Sequence, residues 1–212
     1  MFKKTLVFVA LSAVAGSALS APPVVNLKVN GTITPPTCTV NGQETAPDIS
    51  YKFDVSPGVF PASGNLTMTG QSQNIKVACD ATTYLAFSVA DQRDASLLTT
   101  GPNNFGLGTY GAGDKAVKVG YYQVTMQNAK TTAKAGGAET AVGVQVGTVY
   151  STSGKLDKTL TTSWATAKDT PAAGQVFAAD LVVTPTLNSA LKNSDGTAKL
   201  DGHAILTFSF GV

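Results

Sequence analysis

Between Val25 and Ile33 the chain alternates residue by residue: Val25, Leu27, Val29, Gly31 and Ile33 hold the odd positions, and Asn26, Lys28, Asn30 and Thr32 the even ones. A period of two places successive side chains on opposite faces of a strand, so one row suits a core and the other suits water. Pro35-Pro36 ends the run. The same period returns in Ile49, Tyr51, Phe53 and Val55, in Ile75, Val77 and Cys79, and in Leu85, Phe87 and Val89. Residues 117–126, 141–150, 176–184 and 203–210 are further strand candidates, and 21 Gly and 10 Pro mark the turns between them. Strands spaced in this way predict an all-β sandwich.

Two stretches break the pattern. Residues 128–140 are mostly Ala, Gly, Thr and Lys, with no large apolar side chain, and predict a mobile hairpin tip or surface insertion. Residues 188–200 predict a helical turn ahead of Asp195-Gly196. Neither separates two hydrophobic cores, so one domain is expected over residues 21–212.

The residues before it read as a leader. Lys3 and Lys4 are followed by an apolar run and then by the small residues Ala18 and Ser20, which predicts a signal peptide over residues 1–20, cut between Ser20 and Ala21. The run falls short of the ~20 apolar residues that a membrane span requires, and no later stretch reaches that length. Export to an oxidising compartment implies that Cys38 and Cys79, the only two cysteines, pair with each other. In the chain-entropy model that bridge contributes roughly 4 kcal/mol.

Charge excludes some partners. Charged residues make up 13% of the chain, against about 25% in ordinary domains. The 15 Lys and Arg face 13 Asp and Glu, and removal of Lys3 and Lys4 with the leader leaves the two signs balanced. Nucleic acid and anionic membranes call for a concentrated positive footprint, which is absent from the sequence.

Catalytic constellations are equally sparse. The single histidine, His203, falls on the polar side of 203–210, opposite Ala204, Leu206, Phe208 and Phe210, and is expected to face solvent. Ser189-x-x-Lys192 matches the S-x-x-K of penicillin-recognising enzymes, but the companion K-T-G is missing. Gly147 and Gly154-Lys155 lack the spacing of a phosphate loop. Asn193, Asp195 and Asp201 could approach a calcium ion but lack the EF-hand spacing, and a solvated turn is expected there. No catalytic residue, cofactor or metal is therefore assigned, and a non-enzymatic protein is expected. Trp164 lies in the polar stretch 161–166, where it is either a core aromatic or an exposed indole that stacks on a sugar ring; the core placement is the expected one. Of Tyr121 and Tyr122, one is expected to be buried and the other exposed.

Some of these segments carry a resemblance. Val29-x-Gly31-x-Ile33 followed by Cys38-x-Val40, the alternating Ile75-Lys76-Val77-Ala78-Cys79, and the final Gly202-x-Ala204-x-Leu206-x-Phe208-x-Phe210 resemble the frame of chaperone-usher pilins. A wider likeness, over most of the chain, is to the GltF-like family of exported bacterial pilin-like proteins of unknown function. It rests on Asp91-Gln92-Arg93, Phe105-Gly106-Leu107-Gly108, Val119-Gly120-Tyr121-Tyr122, the run from Val183 to Asn188, and Leu200-Asp201-Gly202.

The resemblance implies an immunoglobulin-like or pilin-like sandwich that lacks a strand, in a structural or adhesive fimbrial subunit located in the periplasm and then in a fimbrium or at the cell surface. Its partners would be a periplasmic chaperone, an usher and other fimbrial subunits, with a glycan receptor in the adhesive case. A self-contained carbohydrate-binding protein of the same fold is the alternative. The residues that would take part in strand exchange are Val25, Leu27, Val29, Gly31 and Ile33 at one end and Ala204, Leu206, Phe208 and Phe210 at the other. Two placements are open for residues 25–33: the protein's own first strand, or a strand given to a neighbour. The short stretch between the leader and Val25 favours the first.

Overall fold

The structure, a computed structural model, describes residues 23–211. The expected signal peptide lies outside them. The chain divides into Met1–Thr34 and a compact unit, Pro35–Val212.

Fifteen strands lie among the described residues, all paired antiparallel: β1 (Cys38–Val40), β2 (Leu66–Thr67), β3 (Gln71–Asp91), β4 (Phe105–Gly106), β5 (Thr109–Tyr110), β6 (Val117–Lys118), β7 (Gly120–Thr132), β8 (Glu139–Ala141), β9 (Gly143–Val146), β10 (Val149–Ser151), β11 (Ser153–Lys155), β12 (Thr162–Ala167), β13 (Thr170–Pro171), β14 (Ala173–Leu187) and β15 (Ala204–Phe210). Helix among the described residues is limited to four short 3-10 turns, one of which, Ser189–Asn193, is the helical turn expected within 188–200. The result is the all-β, sandwich-like fold that the alternation predicts. Among the described residues no helix is long and apolar enough to cross a membrane.

Strand β3 organises the unit. Its residues 71–84 pair with β14, which pairs in turn with β7, while residues 85–91 pair with β15 and residues 86–87 with β12. One strand of 21 residues thus pairs with β14 along its first part and with β15 and β12 along its last, where the sequence suggested two separate strands around Val77 and Phe87. The intervening Asp80-Ala81-Thr82-Thr83 contains no Gly or Pro to turn the chain, and the register against β14 shifts here: between Gly174 opposite Thr83 and Val176 opposite Ala78, β3 carries the extra residues. Cys38 lies directly opposite Cys79 in the β1–β3 ladder, and the two form the expected disulfide.

The core is aromatic at its centre. Phe87 packs on Trp164 and Phe208 with ring centroids 5.9 and 5.5 Å apart, and Trp164 packs on Phe177 at 5.6 Å. Trp164 is fully buried, and its indole N–H donates to the Ala178 carbonyl at 2.9 Å, so the polar end of the ring is satisfied. Next to it lies Thr162, whose buried Oγ1 has no hydrogen-bond partner.

The stretch 128–140 is smaller as a loop than expected. Strand β7 continues to Thr132, and β8 starts again at Glu139. Ala129, Thr131 and Thr132 are buried, and Thr131 and Thr132 lie opposite Phe177 and Val176. Small side chains do the packing here, which is why a search for large apolar residues misses the strand.

Candidate functional site: an unpaired strand edge and the corner that holds it

Strand β15 pairs with β3 from Ala204 opposite Asp91 to Phe210 opposite Leu85. Among the described residues no strand lies along its other edge. A strand inside a sheet satisfies backbone groups on both sides, so this edge presents a row of free N–H and C=O groups. Its inward row, Ala204, Leu206 and Phe208, is only half-buried against the core, and Phe210 at its end is 39% exposed. His203 is exposed, as expected.

A second row shares this condition. Ile49, Tyr51, Phe53 and Val55 are half-buried while Ser50, Lys52 and Asp54 are exposed, so the expected alternation is present. Residues 46–56 nevertheless form no strand. They are tied down by side chains: the Tyr51 hydroxyl donates to the Leu181 carbonyl at 2.8 Å, and Gln71 Nε2 donates to the Lys52 carbonyl at 2.5 Å. Burial, reinforced by the charge of Asp180, pushes the Tyr51 phenol up to about 12, so it stays protonated and keeps donating. The structure therefore has two half-buried apolar rows packed on one core, each without a full set of ladder partners.

The third row is the one at residues 25–33, and here the favoured placement is corrected. Residues 23–34 form no helix, strand or turn. Val25, Leu27, Val29 and Ile33 are 91, 89, 91 and 103% exposed. The first strand among the described residues is Cys38–Val40, which the disulfide anchors to β3.

The start of β15 lies beside a corner where residues 91–93, 105–108, 119–122, 183–188 and 200–202 meet. Asp91 accepts from the backbone N–H of Arg93 on one carboxylate oxygen and from that of Gly106 on the other, each at 2.8 Å. Arg93 reaches Asp201 with two donors. The Asp201 N–H donates to the Leu107 carbonyl, and the Val119 N–H to that of Gly108. The Asn188 side chain donates to the Lys118 carbonyl, while its backbone N–H donates to that of Val119. Phe105 stacks on Tyr122 at 5.4 Å, and burial pushes the Tyr122 phenol well above its ordinary range. Glycine is required at 106 by close approach: a Cβ there would lie 2.0 Å from the Arg93 carbonyl oxygen. The five segments are scattered over about 110 positions of sequence and come together only in the fold, next to the residue where β15 begins. Tyr122 is the buried partner of the tyrosine pair and Tyr121 is half-buried.

Other candidates separate. Asp195 accepts from the Tyr110 hydroxyl and from the N–H and hydroxyl of Thr197, whereas Asp201 is engaged by Arg93, so the calcium reading of Asn193, Asp195 and Asp201 has no common point. Those donors hold the Asp195 carboxyl down at about 2. No group of three metal-ligating side chains occurs among the described residues. Ser189 and Lys192 are both exposed, on the 3-10 turn. Burial of Trp164 leaves the sugar-stacking reading without its indole.

No protein-family model matches the chain, and no curated protein matches it.

Proposed function

We propose that this chain is an exported, non-enzymatic subunit of fimbrial type, structural or adhesive, that works by β-strand complementation with a chaperone or a neighbouring subunit. The single observation that carries this reading is the row Val25, Leu27, Val29 and Ile33: four large apolar side chains at strand spacing, almost wholly in water. Leaving such side chains in water forgoes roughly 1.5–3 kcal/mol each relative to full burial, which a partner with an open apolar edge recovers. The edge of β15 in another copy, or the equivalent edge of a chaperone, offers the backbone groups for such a ladder. Alternating side chains fix the register, since a one-residue slip would turn Asn26, Lys28 and Asn30 towards the core. Protein isolated from its native cell is expected to run on a denaturing gel as a ladder that collapses to monomer on heating. A single monomer band without heating would overturn the proposal.

A further inference from the structure

The chain contains two Asn-Gly pairs, and one of them is held in a hydrogen-bonded turn. Asn41-Gly42 forms the tight turn after β1: Asn41 has φ +49° and Gly42 φ +79°, and Val40 and Gln43 exchange backbone hydrogen bonds of 2.9 and 3.0 Å across it. The Asn41 side chain is held as well, because Oδ1 accepts from the Lys76 N–H at 2.9 Å, and its backbone N–H donates to the Lys76 carbonyl at 2.7 Å. Asn30-Gly31 has none of this. All four residues are exposed, but neither Asn30 nor Gly31 belongs to a strand or turn.

We infer that Asn30 is a site of spontaneous deamidation that inactivates the apolar row of an unpartnered subunit, a consequence that rests on the strand-donation reading. In the reaction the Gly31 backbone nitrogen loses its proton and attacks Cγ of Asn30, forming the C–N bond of a five-membered succinimide. The bond from Cγ to the side-chain nitrogen breaks, and ammonia leaves. Water then opens the ring: cleavage between the Gly31 nitrogen and Cγ gives aspartate, and cleavage between that nitrogen and the backbone carbonyl carbon gives isoaspartate. Water is consumed and ammonia released, with no oxidant or cofactor. Glycine at the following position favours the step, because it has no side chain to hinder the nitrogen and its backbone is the least restricted.

The position of Asn30 gives the reaction its effect. It lies between Val29 and Gly31, inside the row that ends at Ile33. Isoaspartate routes the main chain through Cβ and Cγ, adding one atom to the backbone, so Val25, Leu27 and Val29 fall out of phase with Ile33. A ladder that depends on a strict period of two cannot pair both halves. Pairing also holds the backbone extended, which slows the attack. Subunits that find a partner are protected, and those left alone lose the ability to donate.

The test follows both Asn-Gly pairs in one peptide, since trypsin cuts after Lys28 and Lys52. Purified protein is aged in mildly alkaline buffer, and conversion at Asn30 and Asn41 is followed by mass spectrometry with fragmentation that distinguishes isoaspartate. Reaction at Asn41 requires local opening of its turn, so Asn30 is expected to convert about tenfold faster or more, equivalent to an opening cost of at least ~1.4 kcal/mol. Equal rates, or faster loss of Asn41, would overturn the inference. A second arm compares assembled material with monomer, using Asn30→Gln, which cyclises poorly, as the control. Slower conversion in assemblies, and loss of assembly on ageing in wild type but not in Asn30→Gln, are the expected results. If Asn30 is selective in the monomer but equally reactive in assemblies, donation of residues 25–33 is what fails. If ageing leaves assembly intact, inactivation fails.

Discussion

Arg93 and Asp201, 108 positions apart, meet fork to fork: Nε donates to Oδ2 at 2.8 Å and Nη2 to Oδ1 at 3.2 Å. The pair joins the chain just after β3 to the chain just before β15, so it sits where the unpaired edge begins. Its location exceeds its energy. The side chains are 37 and 62% exposed, and solvent screens ion pairs of that kind. Arg93→Ala is therefore expected to lower stability only slightly in denaturant unfolding. Gly106→Ala in the same corner drives a methyl group into the Arg93 carbonyl oxygen, and overpacking against rigid backbone is expected to cost about 3 kcal/mol. Equal losses from the two changes would show that the salt bridge, and not the close approach, sets the corner.

Leu27→Asp separates donation from folding. Leu27 is 89% exposed, so the change is expected to alter monomer stability by about 0.5 kcal/mol or less. In a partner's apolar edge the carboxylate is unpaired, and assembly is expected to fail. Thermal melting of the monomer and the gel ladder read the two effects. An unfolded monomer would place residue 27 in the core.

Removing the disulfide tests stability and not chemistry. Cys38 and Cys79 are separated by 41 positions, and a loop of that size contributes roughly 4 kcal/mol through the unfolded chain. Cys38→Ser is expected to lower the unfolding free energy by about that amount, read as a lower denaturant midpoint, and to reduce the yield of folded protein. A Cys38→Ser protein as stable as wild type would contradict it.

Thr162 is expected to improve when its hydroxyl is removed. Its Oγ1 is buried without a partner, and leaving a buried polar group unsatisfied costs about 1–3 kcal/mol. Valine has nearly the same shape, so Thr162→Val is expected to stabilise by about 1 kcal/mol and raise Tm by roughly 2–4 °C. Calorimetry checks the sign; a fall in Tm would mean that the hydroxyl finds a partner in solution.

Acid should loosen the loop before β15 through Asp195. Its carboxyl is held at about 2 in the folded protein by Thr197 and Tyr110, below the unfolded value of about 4. A group with a depressed folded pKa contributes stability above its unfolded pKa and loses it as pH falls through the folded one. The contribution is therefore expected to be complete above about pH 4 and to fade towards pH 2. Wild type and Asp195→Asn should converge in Tm over that window, and a constant gap between them would exclude titration of Asp195 as the cause.

Much of the β architecture was legible because alternation is a local property. Val77 and Cys79, Phe87 and Val89, and Leu206 and Phe208 each share a face in the sequence and in the fold. The pairing of Cys38 with Cys79 was equally legible, since only two cysteines exist. The tail of β7 was not, because Ala129, Thr131 and Thr132 pack through small size and close fit to β14, which leaves no hydrophobic signature.

The apolar rows show where sequence stops. By itself it determined that Val25, Leu27, Val29 and Ile33, the row from Ile49 to Val55, and the row from Ala204 to Phe210 are each built to cover something apolar. Only tertiary structure decided that the first is in water, the second lies on the core without a ladder, and the third pairs on one edge alone. The physical reason is that periodicity records which side chains share a face, whereas hydrogen-bond pairing depends on which other backbone lies alongside, and that is set by the long-range closure of the sheets through β3 and the corner at Arg93 and Asp201.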